Sequence, residues 1–237
     1  MSDYFKMGEK ALSDTSQYEK VFQSEKDTIN KLNEEYELVL KDELAKSNIS
    51  KDLYEYLTHP DLDGIGPAPA YFLPKIHKLT QAQIDQLMIP KGRSIVPTNN
   101  SLLRKLDNFV SKEMTPFIND NYIPDFLKDT PHLLEQLNDD FDNNIPSNIR
   151  IQTSDVVVMY PNIKICMILE AWKKIWSSNP TTVPCKTLCQ FLELVLSRNL
   201  IEFNGQLYRQ IDGLGQGLVL SLPASNGVML FESIKIK

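Results

Sequence analysis

The sequence predicts an α+β protein, because stretches with helical periodicity alternate with short β-rich runs. Between residues 16 and 58, apolar residues recur at helical spacing among charged ones. Residues 200–211 instead form two β-rich runs separated by Asn204-Gly205, a strong signal for a two-residue hairpin. The length of 237 residues allows one large domain or two small ones.

Residues 1–60 are predicted to form an N-terminal helical region. Ser50 precedes a short apolar pattern and is expected to cap a second helix, because its hydroxyl can accept a hydrogen bond from a first-turn amide. This pattern is typical of a helical packing or interaction segment. The apolar positions at helical spacing before this cap are Val21, Ile29, Leu32, Tyr36, Leu38, Leu40 and Leu44.

The second region, residues 61–149, mixes loops with short regular elements. Residues 59–74 are rich in proline and glycine and predict a loop that leads into an extended segment. Residues 93–97 predict a short strand, and residues 101–118 predict an amphipathic helix. The polar, acidic residues 138–149 predict a loop.

The third region, residues 150–237, begins with a β-branched apolar run. We expect a buried strand at 150–159 that ends at Pro161, with Asn162 as the cap of the next helix. The following patterns predict a helix at 163–176, a helix at 185–199, a glycine-rich loop at 212–217 and a helix that begins near 221.

The net charge of −6 argues weakly against a nucleic-acid-binding protein, but the charge is unevenly distributed. Residues 71–115 hold 7 Lys or Arg and 3 Asp or Glu, a net charge of +4, between two acidic segments. Such a local basic segment can bind phosphates within an acidic chain. Charge alone, however, fits an ordinary solvated surface better.

No apolar run approaches the ~20 residues that a membrane-spanning helix needs, and the polar N-terminus lacks a signal-peptide core. We therefore expect no membrane partner. The three cysteines, Cys166, Cys185 and Cys189, have no disulfide-framework spacing, which favours reduced thiols and an intracellular location. Cys185 and Cys189 would share a helix face, where we expect buried thiols rather than a zinc site.

Four motifs occur in order along the chain: YFLPKIHK at 71–78, GRSIVP at 92–97, SDVVVMYPNI at 154–163 and FNGQLYRQIDGLGQG at 203–217. Together they resemble the reverse transcriptases of Penelope-like retroelements, where the matching stretches look like LPKIHKP, RPIVS, SFDVVSLYTNIP and F.GK.Y.QIDGLAMGSPLSP. The resemblance covers most of the chain after about residue 50. It implies a right-hand polymerase fold, with a fingers subdomain at 61–149 and an incomplete palm at 150–237.

The resemblance implies that Asp155 is a catalytic carboxylate that binds Mg²⁺ or Mn²⁺. It also implies that the Val156 carbonyl is the second metal ligand from this segment. Polymerases join a hydroxyl to a phosphate through two metal ions held by carboxylates. The residues alone allow two interpretations of Asp155. An Asp in an apolar strand usually has a partner or a metal, but it could also bond to a nearby backbone amide.

The resemblance also implies a nucleotide-binding set. Tyr160 would lie under the incoming sugar, Arg93 would grip the triphosphate, and Gln216 and Gly217 would close on the nucleotide and the template base. Since Tyr160 is an odd number of residues after Asp155, the strand must bend before Tyr160. Without the family context, a core tyrosine, a surface arginine and an ordinary glycine turn remain the alternatives.

By the same resemblance, Lys75, His77 and Lys78 would contact the template or phosphates, although an ordinary surface position is the alternative for the two lysines. His77 is expected to contact backbone or phosphate rather than to act as a general base. The implied partners are an RNA/DNA primer–template and dNTP, and the retroelement resemblance implies a nuclear location. The chain departs from the family where Gly-Ser-Pro-Leu-Ser-Pro is replaced by the sequence 217–222, Gly-Leu-Val-Leu-Ser-Leu.

A second carboxylate element, an aromatic-x-Asp-Asp hairpin, would complete the palm but is not found in the 237 residues. The adjacent pair Asp139-Asp140 precedes Asp155 and lacks flanking apolar strands, so it cannot replace this element. We therefore expect a truncated reverse transcriptase that is inactive alone. The alternatives are a non-catalytic nucleic-acid-binding remnant and a protein-interaction module that uses the acidic helical N-terminus.

Overall fold

The computed structural model describes residues 3–59, 61–76, 79–86, 88, 92–118, 129–150, 156 and 158–236. Helices and short strands are mixed along the chain, so the predicted α+β class is confirmed. The helices are α1 (Asp3–Leu12), α2 (Glu25–Ala45), α3 (Lys51–Leu57), α4 (Gln81–Asp85), α5 (Arg104–Met114), α6 (Thr130–Asp140), α7 (Met159–Asn162), α8 (Ile165–Ser177), α9 (Cys185–Ser197) and α10 (Ser221–Ile236).

The strands form two antiparallel-rich sheets. They are β1 (Tyr18–Val21), β2 (Ala68–Pro69), β3 (Tyr71–Pro74), β4 (Gly92–Ile95), β5 (Leu200–Phe203) and β6 (Gln206–Gln210). One sheet has the order β1-β6-β5-β2, in which only β2 and β5 are parallel. The other sheet is the antiparallel pair β3-β4.

The hairpin between β5 and β6 is confirmed. Asn204 and Gly205 have φ values of 54° and 73°, as a two-residue turn with two left-handed positions requires. Phe203 therefore pairs with Gln206, and the register continues to Leu200 opposite Arg209.

The N-terminal region is helical, but not throughout. The Ser50 cap is confirmed, because its hydroxyl accepts a hydrogen bond from the Leu53 amide at 3.1 Å. The predicted helix is wrong at its start, since residues 18–21 form β1 and pair with β6. Residues 3–12 form α1, which the sequence pattern did not predict. Leu38 is exposed rather than packed.

The larger hydrophobic core lies among α2, α5, α8, α9 and α10, and it contains most of the predicted apolar stripes. Trp172 and Trp176 are fully buried, with ring centroids 5.2 Å apart. Loss of one such ring typically costs about 3–5 kcal/mol of folding free energy. A smaller core joins α1 to both sheets, where Phe72 of β3 meets Phe203 of β5 edge to face at 5.0 Å.

Of the predictions for residues 93–159, some are confirmed and others are not. The strand at 93–97 is confirmed as β4, and the helix at 101–118 as α5 followed by a short 3-10 turn. The acidic stretch begins as helix, because α6 continues to Asp140. Four residues of the strand expected at 150–159 are described, and none lies in a strand: Arg150, Val156 and Val158 are exposed, and Met159 begins α7.

Two further details differ from the sequence-based expectations. Cys185 and Cys189 lie on α9 as expected, but both are half-buried, and Cys166 is exposed. Burial and the adjacent Cys185 thiol raise the pKa of Cys189 to about 12. Within the described part of the chain, no helix is long and apolar enough to cross a membrane.

Candidate functional site

The glycine-rich loop, residues 212–217, lies at the junction of three segments that are distant in sequence. It follows β6 and leads towards α10. The Leu214 amide donates a hydrogen bond to the Tyr160 carbonyl at 2.9 Å. The Val96 amide donates another to the Gln216 carbonyl at 2.7 Å. The loop therefore connects the segment after β4 to the segment that contains Tyr160.

Gly217 makes the tightest of these contacts. Its φ is +133°, and a β-carbon there would lie 2.2 Å from the Val96 carbonyl oxygen. Only glycine fits, because both the backbone conformation and the adjacent backbone exclude a side chain. The Thr98 hydroxyl adds a hydrogen bond to the Gly217 carbonyl at 3.4 Å. The close approach at Gly217 is thus to the backbone of the β4 segment.

Three buried polar residues, Gln210, Asn199 and Ser221, lie against the loop, and the sequence did not indicate them. The Gln210 amide donates to the Asp212 carbonyl at 3.3 Å, and its oxygen faces the Asn199 amide at 3.5 Å. The Ser221 hydroxyl donates to the Gly215 carbonyl. Gln210, Asn199 and Ser221 are each at least 95% buried. Asn199 and Gln210 lie at the two ends of the predicted hairpin, but nothing in the sequence indicated that these polar side chains face inward.

Asp107 of α5 is a second residue that the sequence did not indicate. It is fully buried, and its carboxylate accepts hydrogen bonds from the Val219 amide at 2.8 Å and the Leu220 amide at 2.9 Å. Burial raises the pKa of Asp107, and these amide hydrogen bonds only partly offset that effect. The carboxylate fixes the segment between the glycine-rich loop and α10.

Asp212 links the loop to α8. Its carboxylate accepts hydrogen bonds from the Ile165 amide and the Gly213 amide, both at 2.9 Å, and lies 3.0 Å from the Lys164 ammonium. Asn162 was expected to cap this helix, but that prediction is wrong, because Asn162 ends α7 and Lys164 occupies the cap position. The capping carboxylate comes instead from 47 residues further along the chain.

The surroundings of the Asp212 carboxyl group favour its ionised form. Burial alone would raise the pKa of its carboxyl group, but hydrogen bonds from Ile165, Gly213 and Lys164 outweigh burial. The pKa is therefore lowered below its ordinary value of 3.8.

The chain turns sharply just before Tyr160. Val158 has φ 53° and ψ 48°, a left-handed conformation that is unusual for a β-branched residue, and α7 begins at the next residue. The bend was expected in a strand that carries Asp155, but Val158 lies outside any strand and Asp155 lies outside the described residues. Tyr160 is half-buried and Val156 is 47% exposed.

Arg93 lies on the outer face of the β3-β4 hairpin. It is exposed and pairs with Leu73, and Tyr71 and Leu73 are themselves 43% and 49% exposed on that face. Lys75 follows β3 directly and is half-buried. In the described part of the chain, neither Arg93 nor Lys75 forms an ion pair. The hairpin thus presents cations beside apolar and aromatic surface.

The expected metal site is only partly covered by the described residues. Asp155, His77 and Lys78 lie outside the described residues. Among the residues that are described, no three His, Cys, Asp or Glu side chains cluster as a metal site would require. The structure thus brings Tyr160, Gln216 and Gly217 together around one loop, with Arg93 three residues before the Val96 contact.

Comparisons with known proteins give no relative from which a role could be transferred: no protein-family model matches the chain, and no curated protein matches its sequence.

Proposed function

We propose that this chain is the fingers and part of the palm of a reverse transcriptase similar to those of Penelope-like retroelements. In the intact enzyme it would bind an RNA/DNA primer–template and dNTP. The observation that supports the proposal most is the junction at the glycine-rich loop. Three of the four motifs, 92–97, 154–163 and 203–217, are joined there by backbone hydrogen bonds between residues 54 and 120 positions apart.

The β3-β4 pair, which leads into this junction through Val96, has chemistry suited to a nucleotide. Arg93 offers a guanidinium fork for phosphate oxygens, and Lys75 adds a second cation near the same hairpin. The exposed Tyr71 ring provides a surface on which a base can stack, and Leu73 adds apolar surface beside it. Mg²⁺ held by Asp155 and the Val156 carbonyl would supply Lewis acidity in the intact enzyme.

Two observations bear on the alternatives. The exposed Arg93 and the half-buried Lys75 also suit a non-catalytic nucleic-acid-binding protein, which would differ from the proposed reverse transcriptase fragment only in lacking activity. A protein-interaction module would use the acidic N-terminal helices. There, β1 is paired with β6, and the Gln17 carbonyl accepts a hydrogen bond from the Ile211 amide at 2.8 Å. The N-terminal region is therefore part of the same folded unit as the loop.

Fluorescence anisotropy with a labelled RNA/DNA primer–template tests the proposal. We expect saturable binding that weakens as salt rises, because phosphate contacts release counterions. Arg93→Gln combined with Lys75→Gln should reduce the affinity by about tenfold or more. Lys174→Gln on α8 is the matched control, since this exposed lysine lies outside the hairpin. An equal loss in the control, or no binding by the wild-type protein, would refute the proposal.

A further inference from the structure

A cavity of about 980 Å³ opens between α3 and α5, on a different face of α5 from the glycine-rich loop. Asp107 of α5 faces the loop segment at Val219, whereas Asn108 and Lys112 line the cavity. The volume is at the upper end of the range for small-molecule sites. None of the residues assigned to the proposed polymerase site lines it.

Two aromatic rings and several apolar side chains line the cavity. Tyr56 of α3 is 49% exposed, and Phe109 of α5 is half-buried with its ring edge-to-face against Phe191 at 6.2 Å. Ile49 and Val183 form part of the lining and are buried in the main core. Because base and aromatic rings stack favourably, this lining suits a planar heteroaromatic ligand.

The polar groups of the lining differ in whether they already have hydrogen-bond partners among the described residues. The Glu113 carboxylate already accepts hydrogen bonds from the Thr182 hydroxyl at 2.7 Å and the Thr182 amide at 3.3 Å. Asn108 and Lys112, by contrast, make no hydrogen bond or ion pair with any described residue. Being four residues apart on α5, they present an amide and an ammonium on one helix face.

A second cation lies near the same face. Lys105 donates a hydrogen bond to the Thr58 carbonyl at 2.7 Å, and its ammonium lies 6.0 Å from the centre of the Tyr56 ring. Lys105 and Lys112 are seven residues apart, so they lie on one side of α5. The face therefore carries two positive charges next to an aromatic ring.

We propose that this cavity is a binding site for a purine nucleotide. The base lies between Tyr56 and Phe109, the Asn108 amide bonds to the polar edge of the base, and Lys112 binds the phosphates. An amide suits an adenine edge because it can donate to the ring nitrogen N7 and accept from the exocyclic 6-amino group. This site is separate from the proposed polymerase site and does not depend on it.

Isothermal titration calorimetry with ATP in EDTA tests the proposal on the full chain. We expect one saturable site, with adenosine and inorganic tripolyphosphate each binding more weakly than ATP. Tyr56→Ala should weaken ATP binding by about tenfold or more through lost stacking. Lys112→Gln should weaken it by about tenfold through a lost charge-assisted contact. Tyr56→Phe should keep most of the affinity, because the ring remains.

A charge control and a comparison of two variants separate this site from the polymerase site. Lys174→Gln, at an exposed lysine outside the cavity, should leave ATP binding unchanged, and Lys112→Gln should weaken ATP binding more than Arg93→Gln does. Thermal melting of each variant checks that it is folded. The proposal is overturned if the wild-type chain shows no saturation up to about 1 mM ATP. It is also overturned if tripolyphosphate binds as tightly as ATP, or if Arg93→Gln removes the binding while Lys112→Gln does not.

Discussion

Gly217 lies so close to Val96 that a β-carbon at Gly217 would be 2.2 Å from the Val96 carbonyl oxygen. The Val96 amide simultaneously donates to the carbonyl of the preceding loop residue, Gln216, at 2.7 Å. Since Arg93 is only three residues before Val96, this contact fixes the β4 segment against the glycine-rich loop. Two of the sequence motifs, 92–97 and 203–217, are thus in direct backbone contact.

Gly217→Ala should destabilise the chain by about 2 kcal/mol or more, because it adds backbone strain and a clash with backbone atoms that cannot rotate away. Urea unfolding monitored by tryptophan fluorescence would measure the change. Gly66→Ala is the matched control, since the nearest atom to a β-carbon there is the mobile end of Glu25, at 3.7 Å. Equal stability of the two variants would contradict the described loop contact.

Asp107→Asn should lower the free energy of unfolding by about 1–3 kcal/mol, because an amide cannot accept from both the Val219 and Leu220 amides as a carboxylate does. Urea denaturation at pH 7 would measure the loss. Asp139→Asn removes the same charge from the exposed end of α6 and should change stability little. A neutral Asp107→Asn would show that this carboxylate does not hold the loop segment.

Asp212→Asn should make the chain less stable at pH 7 by about 1–2 kcal/mol, since it weakens the cap of α8 and the pair with Lys164. The folded-state pKa of Asp212 is lowered, so its ionised form stabilises the fold above the unfolded-state value of 3.8. The difference between wild type and variant should therefore disappear as pH falls below 3.8. A difference that grows on acidification would contradict this sign.

Primer extension by the chain alone should be undetectable with either Mg²⁺ or Mn²⁺, because its sequence contains no aromatic-x-Asp-Asp element. Loss of one side of a two-metal site should cost on the order of a thousandfold in rate, since each ~1.4 kcal/mol corresponds to tenfold. Synthesis that disappears in Asp155→Asn would show that the second carboxylate comes from elsewhere.

Features set by neighbouring residues were predictable from the sequence. The Asn204-Gly205 turn and the Ser50 cap depend on the conformational and hydrogen-bonding preferences of a few adjacent residues. The apolar stripes of α8 and α9 likewise followed from the helical period. These local signals gave the α+β class and most of the helix positions in the second half of the chain.

Features set by distant partners were not predictable. Residues 18–21 form β1 only because β6 lies beside them, almost two hundred residues further along. The cap of α8 was assigned to Asn162 from local spacing, but Asp212 supplies it across the fold. Asp107 looks like any polar residue of an amphipathic helix, and only the packed structure reveals the amides that it binds.

Hydrogen–deuterium exchange with and without a primer–template tests most directly whether the β3-β4 hairpin and the glycine-rich loop form the nucleic-acid face. The account predicts slower exchange of backbone amides at 71–76, 92–98 and 213–217 when the primer–template is bound. These changes should be absent in the Lys75→Gln, Arg93→Gln double variant and retained in Lys174→Gln. Protection confined to α2 and α3 under saturating primer–template would contradict the account.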